Sequence, residues 1–204
     1  MKGSSQFENK IYVTATALFE DSCRLAASVL ESGYRPNYLV ALWRGGTPVG
    51  ITIQELLAYY GVKTDHIAIR TSLYETIGRR RERIRIHGLG YLIDRVTDED
   101  SVLIVDDIFD TGLTVEVLIE TIRRKARKNT PKNIRVAAAW YKPGKNQTDR
   151  IPDYYVNASD DWIVFPHELL GLNFSEIHEN KPYIAKVMKD LERSIEFGTE
   201  ETQA

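Results

Sequence analysis

Two adjacent carboxylic acids, Asp106 and Asp107, follow the apolar run Val102-Leu103-Ile104-Val105. Like charges at the end of a buried strand repel each other and lose hydration, so they are costly unless a partner stabilises them. The vicinal hydroxyls of a sugar and a magnesium ion would both serve as partners. The acid pair therefore predicts a site for a diol and a divalent cation.

The loop after the acid pair has the composition of a phosphate site. It contains a third acid, Asp110, and turns through Gly112 onto a helix predicted to begin near Thr114. The free backbone N–H groups and the dipole at a helix N-terminus favour a phosphate dianion, and the hydroxyls of Thr111 and Thr114 add donors. Along the chain, the acids that would accept from the diol come first, then the third acid, and then the loop that would bind the phosphate. This is the order in which a ribose 5-phosphate presents its groups.

Two further predicted strands also end in residues suited to ligand binding. Arg44-Gly45-Gly46 follows the apolar run 38–43, and Lys142 follows the run 134–140. Paired glycines let the backbone approach phosphate oxygens, and an arginine offers a bidentate charge. In an open parallel sheet, ligands bind beyond the carboxyl ends of the strands. We therefore expect the three strand ends to meet in one site.

The elements that must position this site alternate along the chain. Apolar spacing, glycine stops and a proline start predict strands at 38–43, 66–69, 102–105 and 134–140, and helices at 16–32, 48–60, 114–128 and 181–197. This alternation predicts an α/β fold with a parallel, Rossmann-like sheet flanked by helices on both faces. We expect a single domain over 1–204, with a flexible loop at about 71–91, partly a β-ribbon, and an irregular segment at about 142–171.

Composition excludes several classes of protein. Hydrophobic residues make up 43% and charged residues 27%, and no apolar run is long enough to span a bilayer. The N-terminus lacks an apolar signal sequence and Cys23 is the only cysteine, so we expect a cytoplasmic protein. The net charge of −2 argues against a chain built mainly to bind nucleic acid.

Two basic clusters stand apart from this balance. Both fit a solvated face, a phosphate, a nucleic acid or a neighbouring subunit, and the sequence leaves the choice open. They consist of Arg79, Arg80, Arg81, Arg83 and Arg85, and of Arg123, Arg124, Lys125, Arg127 and Lys128.

The segment 102–114 resembles the signature by which type I phosphoribosyltransferases bind phosphoribosyl pyrophosphate (PRPP). It has an apolar strand, two acids, two mostly apolar residues and then Asp-Thr-Gly-x-Thr. Response-regulator receivers also place two acids at a strand end, but they need more chain after that strand than remains here and have no use for the Gly-Thr loop.

The resemblance implies the fold of that family, Mg²⁺ as cofactor on Asp106 and Asp107, Asp110 as catalytic base, and a homo-oligomer. It also implies a non-proline cis peptide between Trp43 and Arg44. The implied PRPP-binding residues are Arg44, Gly45, Gly46, Asp106, Asp107, Asp110, Thr111, Gly112, Leu113 and Thr114.

A second resemblance concerns the base. Lys142 and the later Asp161-Trp162-Ile163 look like the small hood, here about 142–171, of the 6-oxopurine phosphoribosyltransferases, particularly the bacterial xanthine–guanine branch. It implies that Lys142 donates to the exocyclic O6, that Trp162 stacks on the purine, and that the Ile163 backbone contacts the base edge. A solvated lysine and a core aromatic are the competing interpretations.

Other positions match the family less well. Glu168 sits where the branch has an acid after a proline, whereas His167 and His178 are expected to face solvent. Ser72 and Tyr74 resemble a Ser-Tyr pair of the family's flexible loop, but Leu73 interrupts them. Arg80 or Arg81 would be the loop arginine that closes on pyrophosphate, and the sequence does not choose between them.

The resemblance therefore implies a purine phosphoribosyltransferase that uses PRPP and a 6-oxopurine base. One alternative is a phosphoribosyltransferase for another base. The other is a PRPP-sensing regulator of the same fold that binds nucleic acid. The residues do not indicate which base is preferred.

Overall fold

The computed structural model describes residues 9–74 and 83–200, which form two sheets and six helices. The strands are β1 (Lys10–Tyr12), β2 (Tyr38–Trp43), β3 (Asp65–Tyr74), β4 (Arg83–His87), β5 (Ser101–Phe109), β6 (Asn133–Tyr141), β7 (Tyr154–Ala158) and β8 (Trp162–Val164). The helices are α1 (Ala15–Glu31), α2 (Gly46–Tyr59), α3 (Gly90–Ile93), α4 (Leu113–Ala126), α5 (Phe174–Asn180) and α6 (Pro182–Glu200).

The main sheet has six strands in the order β4-β3-β2-β5-β6-β7. Every neighbouring pair is parallel except β3 and β4, which form an antiparallel ribbon. β2 and β5 lie in the centre, and their segments 39–42 and 102–105 are buried and apolar, as expected for strands that helices cover on both faces. Leu39 and Leu103 pack on the side of α1 and α2, whereas Val40 and Ile104 pack on the side of α4. The predicted α/β fold is confirmed.

The predicted strands all form, and β5 is longer than expected. It continues through Phe109, so that Asp106 and Asp107 are the sixth and seventh of its nine residues rather than a loop that follows it. β6 runs beside it in parallel, pairing Asp106 with Ala138 and Phe109 with Tyr141. The acid pair is therefore held by backbone hydrogen bonds on a central strand.

The segment 142–171 is more regular than its composition predicts. It contains β7, which extends the main sheet, and β8, which pairs in parallel with β1 as a separate two-stranded sheet. The expectation of an irregular segment is wrong here, because each of these short strands is stabilised by a partner distant in the sequence rather than by a local pattern.

The C-terminal helices are attached to this small sheet by two lysines. Lys10 on β1 pairs with Glu176 on α5, Nζ to Oε1 2.5 Å. Lys181, which is buried, donates from Nζ to the carbonyl oxygens of Phe165 (2.6 Å) and Pro166 (3.3 Å). The capping box of Asn173 and Glu176 starts α5.

The ribbon expected after the second predicted strand is confirmed by β3 and β4. Residues 75–82, which include Arg79, lie outside the described residues, so the closing role proposed for Arg80 or Arg81 stays a prediction. The second basic cluster is exposed at the end of α4 and in the 3₁₀ turn Arg127–Asn129. In the part of the chain that the structure describes, no helix is long and apolar enough to cross a membrane.

Candidate active site

The three predicted ligand-binding strand ends meet at one edge of the main sheet. β2, β5 and β6 are neighbours and all run in the same direction. The backbone N–H of Lys142 donates to the carbonyl of Phe109 (3.0 Å), which joins the ends of β5 and β6 directly. The prediction that these segments converge is therefore confirmed.

The turn after β2 lies so close to β5 that there is no room for a side chain at either of its two glycines. The peptide bond between Trp43 and Arg44 is cis, as predicted. A Cβ on Gly45 would lie 1.9 Å from Oδ2 of Asp107, and one on Gly46 would lie 2.3 Å from the carbonyl oxygen of Val105. The paired glycines thus let the turn contact the strand that carries the acids.

The two acids differ in their surroundings. Oδ1 of Asp106 accepts from the backbone N–H of Asp107 (3.0 Å). Although Asp106 retains some contact with solvent, burial of its carboxyl group and then the neighbouring charge of Asp107 raise its pKa well above the usual value. A ligand that brings a cation or hydroxyl donors would stabilise the ionised form.

Asp107 contacts a side chain that the sequence analysis did not assign to the site. Nε2 of His167 lies 3.2 Å from its Oδ2, and the His167 side chain is 27% exposed. The expectation that His167 simply faces solvent is therefore incomplete. No local pattern indicated this contact, because it joins β5 to the turn after β8.

The third acid and the predicted base-site lysine lie together. Oδ2 of Asp110 is 3.7 Å from Nζ of Lys142, whose side chain is 11% exposed whereas that of Asp110 is 47% exposed. The carbonyl of Lys142 accepts from the backbone N–H groups of Lys145 and Asn146, both at 3.2 Å. A tight turn therefore holds a nearly buried ammonium group beside an accessible carboxylate.

The predicted phosphate loop adopts the geometry that its glycine allows. Gly112 has φ +76° and directly precedes α4. The N–H of Gln147 donates to the carbonyl of Thr111 (2.9 Å), so the loop is held by the segment that follows Lys142. A cavity of about 180 Å³ opens here, lined by Asp106, Ile108, Phe109, Asp110, Thr111, Gly112, Thr114 and Val115.

The predicted base-stacking residue, Trp162, lies on β8. Nζ of Lys10 sits 4.4 Å from the centre of its ring and thus interacts with one indole face, while Ile163 is buried. The segment before β8 contacts the Lys142 turn, because the N–H of Gly144 donates to Oδ1 of Asp160 (2.8 Å). Lys10 was missed by the sequence analysis, since only the β1–β8 register brings it here.

Glu168 and the histidines make other contacts. Oε2 of Glu168 accepts from the backbone N–H of Phe165 (3.2 Å), so it closes a turn. His178 is exposed, as expected. Among the described residues there is no group of three or more histidine, cysteine, aspartate or glutamate side chains that would hold a metal ion unaided.

Comparison with known proteins gives a consistent picture. The family model "Phosphoribosyl transferase domain" matches residues 9–170. The hypoxanthine-guanine phosphoribosyltransferase of Bacillus subtilis (strain 168) is 32% identical over 93 residues, which are 45% of this chain and 47% of that protein. The match thus spans about half the length of that curated relative.

Solved structures extend the likeness over more of the chain. The purine phosphoribosyltransferase from Pyrococcus horikoshii Ot3 is 29% identical with a TM-score of 0.63, covering 80% of this chain and 97% of that one. The xanthine-guanine-hypoxanthine phosphoribosyltransferase of Helicobacter pylori is 20% identical with a TM-score of 0.59, covering 77% of this chain and 92% of that one, which shows a shared fold.

Gly45→Ala tests the close approach of the turn to β5. The added methyl group should displace the Asp107 carboxylate, and overpacking of this kind costs about 1–3 kcal/mol. We expect a lower thermal midpoint and weaker binding of ribose 5-phosphate, measured by calorimetry. Gly90→Ala is the matched control because no atom lies within 4 Å of its Cβ position; equal behaviour of the two variants would contradict the argument.

Asp106→Asn tests the electrostatic cost of the acid pair. Because the folded-state pKa of Asp106 is raised above its ordinary value of 3.8, the ionised group lowers stability as the pH rises from that value through the raised pKa. The variant should therefore melt at a higher temperature than the wild type at neutral pH without metal, by roughly 2–4 °C per kcal/mol. Scanning calorimetry should show the difference shrinking towards pH ~4; a lower midpoint at neutral pH would refute it.

Proposed function

The chain belongs to the phosphoribosyl transferase domain family, and from this premise we propose that it transfers the 5-phosphoribosyl group of PRPP to a 6-oxopurine base. The products would be a nucleoside monophosphate and pyrophosphate. The observation that carries the proposal is the pairing of Asp110 with Lys142 at 3.7 Å beside the predicted phosphate loop. A site that bound only ribose 5-phosphate would need the acids Asp106 and Asp107 and the phosphate loop, but not this additional carboxylate and ammonium.

The proposed arrangement of PRPP follows the three segments at the strand ends. The ribose hydroxyls bind Asp106 and Asp107, and the 5-phosphate binds residues 110–114 at the start of α4. The pyrophosphate binds Arg44, Gly45 and Gly46. The Arg44 side chain is exposed and free to reach an anion, and the helix N-terminus favours the phosphate dianion.

The residues fit Mg²⁺ when the substrate is included. Asp106 and Asp107 supply hard oxygen ligands, and burial and mutual repulsion make a cation favourable there. Two carboxylates plus substrate oxygens are a usual magnesium environment, in keeping with the absence of a larger ligand cluster among the described residues. When bound, the ion would neutralise charge on the departing pyrophosphate.

The proposed chemistry is displacement at C1′ of the ribose. A purine ring nitrogen bonds to C1′ as the bond to pyrophosphate breaks, and pyrophosphate leaves with the electron pair. Asp110, whose carboxylate is accessible, accepts the proton that the purine nitrogen loses. Lys142 donates to O6 and stabilises negative charge that builds there.

The 6-oxopurine assignment has two supports. A nearly buried lysine is expensive to desolvate, and a carbonyl oxygen that gains charge during the reaction would stabilise it. The solved relative at 29% identity is named a purine phosphoribosyltransferase, and the Bacillus subtilis relative a hypoxanthine-guanine phosphoribosyltransferase. Trp162 would stack on the purine, with Lys10 over one face of its indole ring.

A panel of bases tests the proposal. The purified protein is incubated with PRPP and Mg²⁺ and with hypoxanthine, guanine, xanthine, adenine, uracil or orotate, and pyrophosphate release is followed together with nucleotide formation. We expect turnover with at least one of the three 6-oxopurines and none with the pyrimidines. Turnover with adenine or a pyrimidine alone would refute the base assignment, and no turnover with any base would refute the transferase proposal.

Asp110→Asn should lower kcat by on the order of 10²–10⁴, the usual contribution of general-base catalysis. The KM for PRPP should change little, because the acid pair and the loop backbone remain. Asp98→Asn is the matched control, since Asp98 pairs with Lys132 at the opposite edge of the sheet. Steady-state kinetics that show a near wild-type kcat for Asp110→Asn would remove Asp110 from its role.

A further inference from the structure

The turn that follows β8 is fixed from several directions. The N–H of Glu168 donates to the carbonyl of Phe165 (3.0 Å), and Oε2 of Glu168 accepts from the N–H of Phe165 (3.2 Å). The buried Lys181 donates to the same carbonyl (2.6 Å) and to that of Pro166. Such a turn has little freedom to shift, so a side chain on it is held at a defined place.

His167 is the residue that this turn presents to the site. Its ring lies parallel to that of Phe165, with 7° between the planes and 5.7 Å between the ring centres. Phe165 itself is fully buried, so the imidazole is packed against the core on one face. Its Nε2 reaches to 3.2 Å from Oδ2 of Asp107.

Asp107 needs a partner of this kind. Its side chain is only 9% exposed, it lies beside the acidic Asp106, and its carboxylate fills the space where Gly45 lacks a side chain. Repulsion from Asp106 favours rotation of the Asp107 carboxylate away from its neighbour. An N–H on Nε2 of His167 would oppose that rotation by attracting the carboxylate oxygen that lies 3.2 Å away.

We propose that His167 is a positioning residue, which holds the Asp107 carboxylate in the orientation that binds the ribose hydroxyls. This rests on the proposed function, because it concerns the sugar half of the same site. The turn begins three residues after Trp162, so it also connects the strand of the predicted base-stacking residue to the sugar-binding acid.

The test compares variants that separate ring packing from the polar contact. His167→Phe keeps a flat ring on Phe165 but has no N–H, whereas His167→Gln keeps a donor of similar reach. We expect His167→Phe to raise the KM for PRPP by about tenfold, within the range for coupled contacting residues, with the KM for the base within about twofold. His167→Gln should recover most of the PRPP affinity.

A second measurement is independent of turnover and of metal. Calorimetric titration with ribose 5-phosphate, without added metal, is carried out on the wild type, His167→Phe, Asp107→Asn and the double variant. If His167 acts through Asp107, His167→Phe weakens binding in the wild-type background and has little further effect when Asp107 is already Asn. Equal losses in both backgrounds would overturn the proposal.

The remaining outcomes are also decisive. An unchanged KM for PRPP in His167→Phe, or equal impairment by Phe and Gln, would overturn the role of His167 while leaving the transferase proposal intact. Absence of any transfer by the wild type would overturn both. If circular dichroism shows that His167→Phe folds poorly, His167→Gln is compared with His167→Asn instead. Asn is one methylene shorter, so its amide should not reach Asp107. Equal PRPP affinity in these two variants would overturn the proposal.

Discussion

Two like-charged carboxylates held side by side on a buried central strand are the constraint that shapes the rest of the site. The ladder between β5 and β6 fixes the backbone on both sides of this pair, so the repulsion between the two acids is relieved only by side-chain rotation or by a partner. Their surroundings are arranged accordingly: a turn without side chains at Gly45 and Gly46, a helix N-terminus, and an imidazole. Such an arrangement lowers the stability of the free protein. A ligand that supplies hydroxyl donors or a cation restores that stability.

The hood includes β8, which forms a small two-stranded sheet with β1 that needs support from other elements. β1 and β8 are three residues each, too few to be stable alone. The pairing of Lys10 with Glu176 and the contacts of Lys181 with two carbonyls attach the hood to α5 and α6, which lie beyond the last residue of the family match. The C-terminal helices of this chain therefore support both Trp162 and the turn that carries His167.

The fold is that of the type I phosphoribosyltransferases. Within it, the candidate site is formed partly by the main sheet and partly by the hood. The sugar and phosphate side that we propose lies on the parallel sheet, where residue types follow a contiguous motif. The proposed base side combines the Lys142 turn with a hood stabilised by contacts distant in the sequence, such as that between Gly144 and Asp160.

The sequence by itself determined the α/β class, the central strands, the acid pair and the Gly112 turn, because each depends on local residue types or on a contiguous motif. The cis peptide before Arg44 was predicted only through the resemblance to a known family. Only the tertiary structure decided the positions of β1, β7 and β8, the cation over Trp162 and the contact of His167 with Asp107. These depend on pairing between segments far apart in the chain. A short strand or a single side chain has too little sequence periodicity to indicate its partner. The partner is therefore selected by tertiary packing and strand register.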